Sequence, residues 1–106
     1  MAIGEFHHFG VPTNTKQDNE TYLEGGKVSI TDPGASPYNI EFLRFEADSP
    51  MPKALQDNCH AAFIVKDLAA ALEGQNVILE PFNATETLKV AFITDGDAVI
   101  ELMQNI

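Results

Sequence analysis

His60-Ala61-Ala62-Phe63-Ile64-Val65-Lys66-Asp67-Leu68-Ala69-Ala70-Ala71-Leu72-Glu73-Gly74 reads as a strand running into a capped helix. His60 to Lys66 is dense in apolar residues, Asp67 stands at the N-cap position before Leu68 to Glu73, and Gly74 stops the helix. Downstream, Asn76 to Leu79 reads as a strand, Glu80 to Thr87 as a connection and Leu88 to Thr94 as another strand. Asp95-Gly96 is a strong hairpin signal leading into Ala98 to Gln104. Strand, helix and three strands predict one βαβββ module.

The upstream half is a worn version of the same order. Phe6 to Thr13 predicts a strand ending near Pro12, and Thr15 to Leu23 predicts one or two helical turns before Gly25-Gly26. Lys27 to Thr31 and Tyr38 to Glu46 read as strands separated by the turn Asp32-Pro33-Gly34, and Ser49-Pro50-Met51-Pro52 breaks the chain near its midpoint. Residues repeat as well as elements. His8-Phe9-Gly10-Val11 answers to His60-Ala61-Ala62-Phe63, and Ile40-Glu41-Phe42-Leu43 answers to Ile100-Glu101-Leu102-Met103. Each half supplies one His at the start of its first strand and one Glu inside its last.

Side chains two apart on a strand share a face. His8 therefore groups with Phe6 and Gly10, His60 with Ala62 and Ile64, Glu41 with Leu43 and Phe45, and Glu101 with Val99 and Met103. A buried polar group without a partner costs about 1–3 kcal/mol, so four of them on apolar stripes need something to satisfy them. A divalent metal does so economically: two carboxylates offset its charge and two imidazoles supply nitrogen. His8, Glu41, His60 and Glu101 are the expected ligands, with Ni, Zn, Co, Mn and Mg all compatible with the donor set. Taken singly, each His reads more simply as a hydrogen-bonded structural residue and each Glu as a solvated one. Cys59 reads as a small packed residue and His7 as a surface group.

The chain has 106 residues, 6 basic and 16 acidic, for a formal net charge of −10. This length predicts a single domain, residues 1–106. The acidity argues against sequence-independent nucleic-acid binding and against anionic membrane surfaces, both of which recruit Lys and Arg. One cysteine makes no intrachain disulfide, and no apolar run approaches the roughly 18 residues of a spanning helix. Without a signal-like segment at Met1 to Glu5, a cytoplasmic location is expected, and the Asn19-Glu20-Thr21 and Asn83-Ala84-Thr85 acceptor patterns are chance matches.

The set of motifs, in this order, resembles the vicinal oxygen chelate superfamily, the glyoxalase, bleomycin-resistance and methylmalonyl-CoA epimerase-like group. His8-Phe9-Gly10-Val11 looks like its first-strand ligand motif, and Ile40-Glu41-Phe42-Leu43 with Asp48-Ser49-Pro50 and Ala54-Leu55 looks like the epimerase-type end of a first module. His60 to Leu68, Glu80-Pro81, Lys89 to Ile93 and Val99 to Leu102 follow the second. The resemblance implies an α+β fold of two βαβββ modules, about 1–53 and 54–106, whose strands form a partly open barrel around one site. It implies a homodimer and one divalent metal ion per site, acting on a small-molecule substrate with adjacent oxygens. The implied activity is that of a lyase or isomerase moving a proton through a metal-stabilised enediolate or enolate, with Glu101 or Glu41 as the catalytic carboxylate. Glu101 is preferred, because a last-strand Glu serves as both ligand and base. An extradiol dioxygenase, with three protein ligands, fits poorly beside a fourth candidate, Glu41. The alternative is a non-catalytic, antibiotic-type binding protein of the same fold. Arg44, the single arginine, alternates away from Glu41 and lends little support to a glutathione or CoA thioester.

Overall fold

The computed structural model describes residues 3–106, divided between two compact units. One unit is His8–Cys59, and the other joins the chain up to His7 with His60–Ile106. Among the described residues no helix is long and apolar enough to cross a membrane.

The His8–Cys59 unit takes in β1 (Glu5–Pro12) from His8 onward, β2 (Thr21–Leu23), β3 (Val28–Ile30), β4 (Ile40–Phe45) and α1 (Lys53–Asp57). Its strands run in the order β2-β3-β4-β1. β1 lies parallel to β4, with Gly10 opposite Glu41 and Pro12 opposite Leu43. The β2/β3 and β3/β4 pairs are antiparallel. Asp32 caps the turn before β4 by accepting the Gly34 N–H at 2.8 Å.

The helical turns expected at Thr15 to Leu23 do not form, and the segment ends in the short strand β2. Local side chains take its backbone groups instead. Thr13 Oγ1 accepts the Thr15 N–H at 3.1 Å, Gln17 Nε2 donates to the Thr15 carbonyl at 2.8 Å, and Asn19 has φ of 60°. Such bonds compete with an i to i−4 ladder, and the segment has no apolar stripe for which packing could compensate. Conversely, Pro52, read as part of a break, opens α1, whose Leu55 is buried. Proline pre-sets φ and tolerates a helix start.

The second unit contains β5 (His60–Ile64), α2 (Leu68–Leu72), β6 (Asn76–Thr85), β7 (Leu88–Asp95) and β8 (Ala98–Asn105), in the order β5-β8-β7-β6. Both units therefore place their first strand parallel to their last and their second strand at the far end. Asp67 caps α2 as expected, its Oδ1 accepting the Ala70 N–H at 3.1 Å. The Leu68 N–H donates to Gln104 Oε1 at 2.7 Å, tying the helix start to β8. Leu68, Ala91, Ile93, Leu102 and Val65 form a core between α2 and one sheet face. Gly96, with φ of 58°, turns β7 into β8.

The connection expected over Glu80 to Thr87 is instead mostly strand, since β6 continues to Thr85. Pro81 is tolerated because β6 is an outer strand of this unit, where a missing N–H breaks no ladder bond on its free side. Register shifts between Val77 and Leu79 and between Leu79 and Phe82 absorb the irregularity.

Candidate metal centre

In the His8–Cys59 unit, His8 on β1 is 2% exposed, and its Nε2 lies 3.5 Å from Glu41 Oε1 on β4. In the other unit, His60 on β5 is 3% exposed and Glu101 on β8 is 7% exposed, with Nε2 and Oε1 3.0 Å apart. Gly10, two residues after His8, stands opposite Glu41, and Ala62, two residues after His60, stands opposite Glu101. The same pair is thus built twice on the same lattice positions. A first strand parallel to the last is what makes it possible, because in-register neighbours share a face.

The His60 and Phe92 rings meet at a centroid distance of 5.2 Å and an interplanar angle of 85°. This T-shaped contact fixes the imidazole plane. Leu102 and Ile100 flank Glu101 in sequence and project from the opposite face, into the α2 core or against it. Glu101 therefore belongs to a strand anchored from behind.

The donors are chemically suited to a dication. Each unit offers one imidazole nitrogen and one carboxylate oxygen as candidate ligands, from His8 and Glu41 in the first and from His60 and Glu101 in the second. Two imidazoles and two carboxylates make an N2O2 set that offsets a charge of +2. His7 is exposed, as expected; Cys59 is also exposed, against the expectation of a packed thiol. It follows the end of α1 at Asn58 and precedes β5, so no face covers it. A cleft of about 730 Å³ in the second unit lies beside α2 along Val65, Asp67, Ala70 and Gln104. It is on the helix side of the sheet, away from His60 and Glu101, and lacks a set of candidate ligands.

Arg44 has a separate occupation. Opposite Ser29 in the register, it projects from the face of β4 that does not carry Glu41, and binds Glu20 through Nε at 2.9 Å and Nη2 at 2.7 Å. That bidentate grip holds the Glu20 carboxyl down at about 2. Tyr22 on the same face donates to Glu46 Oε2 at 2.7 Å, which pushes its hydroxyl up to about 12. Because the folded state lowers the Glu20 value, its stabilisation is complete above the ordinary 4.5 and fades as pH falls toward 2. Glu20→Gln is accordingly expected to lower the urea midpoint at pH 6, with the gap to wild type closing between pH 4.5 and 2; a gap independent of pH would contradict the assignment.

No known family profile matches the chain, and no curated protein matches it by sequence. Its architecture does match solved structures. Hypothetical protein BH1468 from Bacillus halodurans C-125 aligns over 96% of this chain and 94% of its own, with a TM-score of 0.68 and 19% identity. Methylmalonyl-CoA epimerase from Mycobacterium tuberculosis aligns over 100% of this chain and 93% of its own, with a TM-score of 0.66 and 17% identity. The fold is glyoxalase-like. At such identities the likeness is one of fold, and within the glyoxalase-like α+β fold this chain departs by lacking an α-helix between β1 and β2.

Proposed function

We propose that His8, Glu41, His60 and Glu101 together hold one divalent metal ion, and that the protein is a lyase or isomerase moving a proton on a small substrate with adjacent oxygens. The observation that carries this reading is the duplicated pair, the same His and Glu at equivalent register positions in each unit, buried or nearly so. The glyoxalase-like fold, shared with a protein described as an epimerase, supports the reaction class.

The bound ion would supply Lewis acidity, polarising a substrate oxygen. The protein supplies the rest. Glu101 takes the proton from the carbon beside a substrate carbonyl and returns it to a neighbouring atom, so that no net proton is consumed. His60, backed by Phe92, keeps the carboxylate oriented, and Glu41 is the second carboxylate available to carry a proton.

Protein purified without chelators is expected to carry one metal ion per chain, lost in both His60→Ala and Glu101→Gln when the metal is quantified by mass spectrometry. Unchanged content in the variants would overturn the site. Exchange of substrate α-protons into deuterated water, screened over 2-oxo and 2-hydroxy compounds, is expected for the wild type and absent in Glu101→Gln. A metal-loaded protein with no exchange would favour the non-catalytic binding reading.

A further inference from the structure

Resting on the metal reading above, we propose that the site selects a small uncharged substrate, with two neighbouring oxygens and apolar flanks, over carboxylates and phosphates. The argument comes from what shares a face with the ligands in each unit. In the second unit, the register puts Ala62, Ile64, Val90, Phe92, Val99 and Met103 on the face that carries His60 and Glu101. In the first, Pro12, Val28, Ile30, Leu43 and Phe45 share the face of His8 and Glu41. At the margins, neutral groups alone add polarity: Thr94, Asn76, Thr85 and Asn105 in the second unit and Thr21 in the first.

Every basic side chain lies elsewhere. Arg44 faces away and is clamped by Glu20, Lys27 pairs with Asp48, and Lys53 pairs with Asp57. Lys89 stands opposite Gln104, on the α2 side of the sheet, while Lys16 and Lys66 are exposed outside the strands. Nothing on the ligand-bearing faces therefore offers a second cation to an acid group. The ion would not make up for this, because two carboxylates formally cancel a dication, and the whole chain carries a charge of −10 without it. A carboxylate or phosphate entering such a face loses hydration and finds no cationic side chain, only an ion whose charge two carboxylates already offset, whereas a neutral hydroxyketone loses far less and buries its methyl groups against Phe and Val.

The test uses zinc-loaded full-length protein and two probes of similar size, acetoin and lactate, which differ in charge but both present adjacent oxygens. Zinc uptake is first measured by calorimetry on the same sample, then probe binding by NMR shifts of the Ile, Val and Met methyl groups. Acetoin is expected to bind at least about tenfold more tightly than lactate, the reverse of the order that free aqueous zinc favours. Thr94→Lys, which places a cation beside Val99 at the cost of one hydrogen bond to Asn76, is expected to raise lactate affinity at least about tenfold. Zinc uptake with lactate equal to or tighter than acetoin overturns the inference and leaves the metal reading intact, as does Thr94→Lys without a gain for lactate. Absence of zinc uptake overturns the metal reading and this inference with it.

Discussion

Addition of a suitable divalent ion at about a hundred times its dissociation constant is expected to raise the unfolding free energy by about 2.7 kcal/mol, and the melting temperature by roughly 10–20 °C. The size of the effect follows from which state can bind. His8 and Glu41, and again His60 and Glu101, come from strands far apart in sequence that meet only through the parallel β1/β4 and β5/β8 ladders. An unfolded chain offers the same donors scattered, so nearly all the binding energy favours the native state. A chelator should return the melting temperature to its starting value, and Glu101→Gln should abolish the response, since the amide cannot offset the ion's charge. Glu41→Gln should weaken it, Glu41 being the less buried carboxylate. Differential scanning fluorimetry over Ni, Zn, Co, Mn and Mg checks this, and no rise with any of them would refute the centre.

The elements that carry the candidate ligands were legible because they rest on local chemistry. Strand alternation around His60 and Glu101, the Asp67 cap and the Asp95-Gly96 turn each need only a few neighbouring residues, and each stands where expected. The repeat was visible as matching tetrapeptides, but its exact form was not. That Gly10 faces Glu41 as Ala62 faces Glu101 is a property of strand order and register, which unequal loops conceal. The misread segments share another cause. In Thr15 to Leu23, α1 and β6, apolar periodicity is weak, and the outcome turns on a side chain bonding its own backbone, on a proline at a helix start, or on a proline at an outer strand. Arg44 was placed correctly by alternation, while its partner Glu20, 24 residues away, had no local signal.

Leu102→Ala is expected to cost about 2–5 kcal/mol while leaving metal stoichiometry unchanged. Leu102 is 1% exposed and packs with Leu68, Ala91 and Ile93, so truncation loses its burial and leaves a cavity that the surrounding β8 and α2 backbones can close only in part. Against a typical total of 5–15 kcal/mol the loss is large, and with a urea slope of about 1–3 kcal/mol/M it moves the midpoint by roughly 1–5 M. Metal uptake should survive because Leu102 and Glu101, though adjacent, project from opposite faces of β8. The backbone between them is held by β5 on one side and β7 on the other, with Ala62 and Phe92 flanking Glu101. Metal content and urea midpoints of Leu102→Ala and Glu101→Gln, measured side by side, therefore separate the two faces: the first should lose stability and keep the ion, the second should lose the ion. Loss of metal from folded Leu102→Ala would mean that the carboxylate is positioned by the helix-side core rather than by the strand ladder.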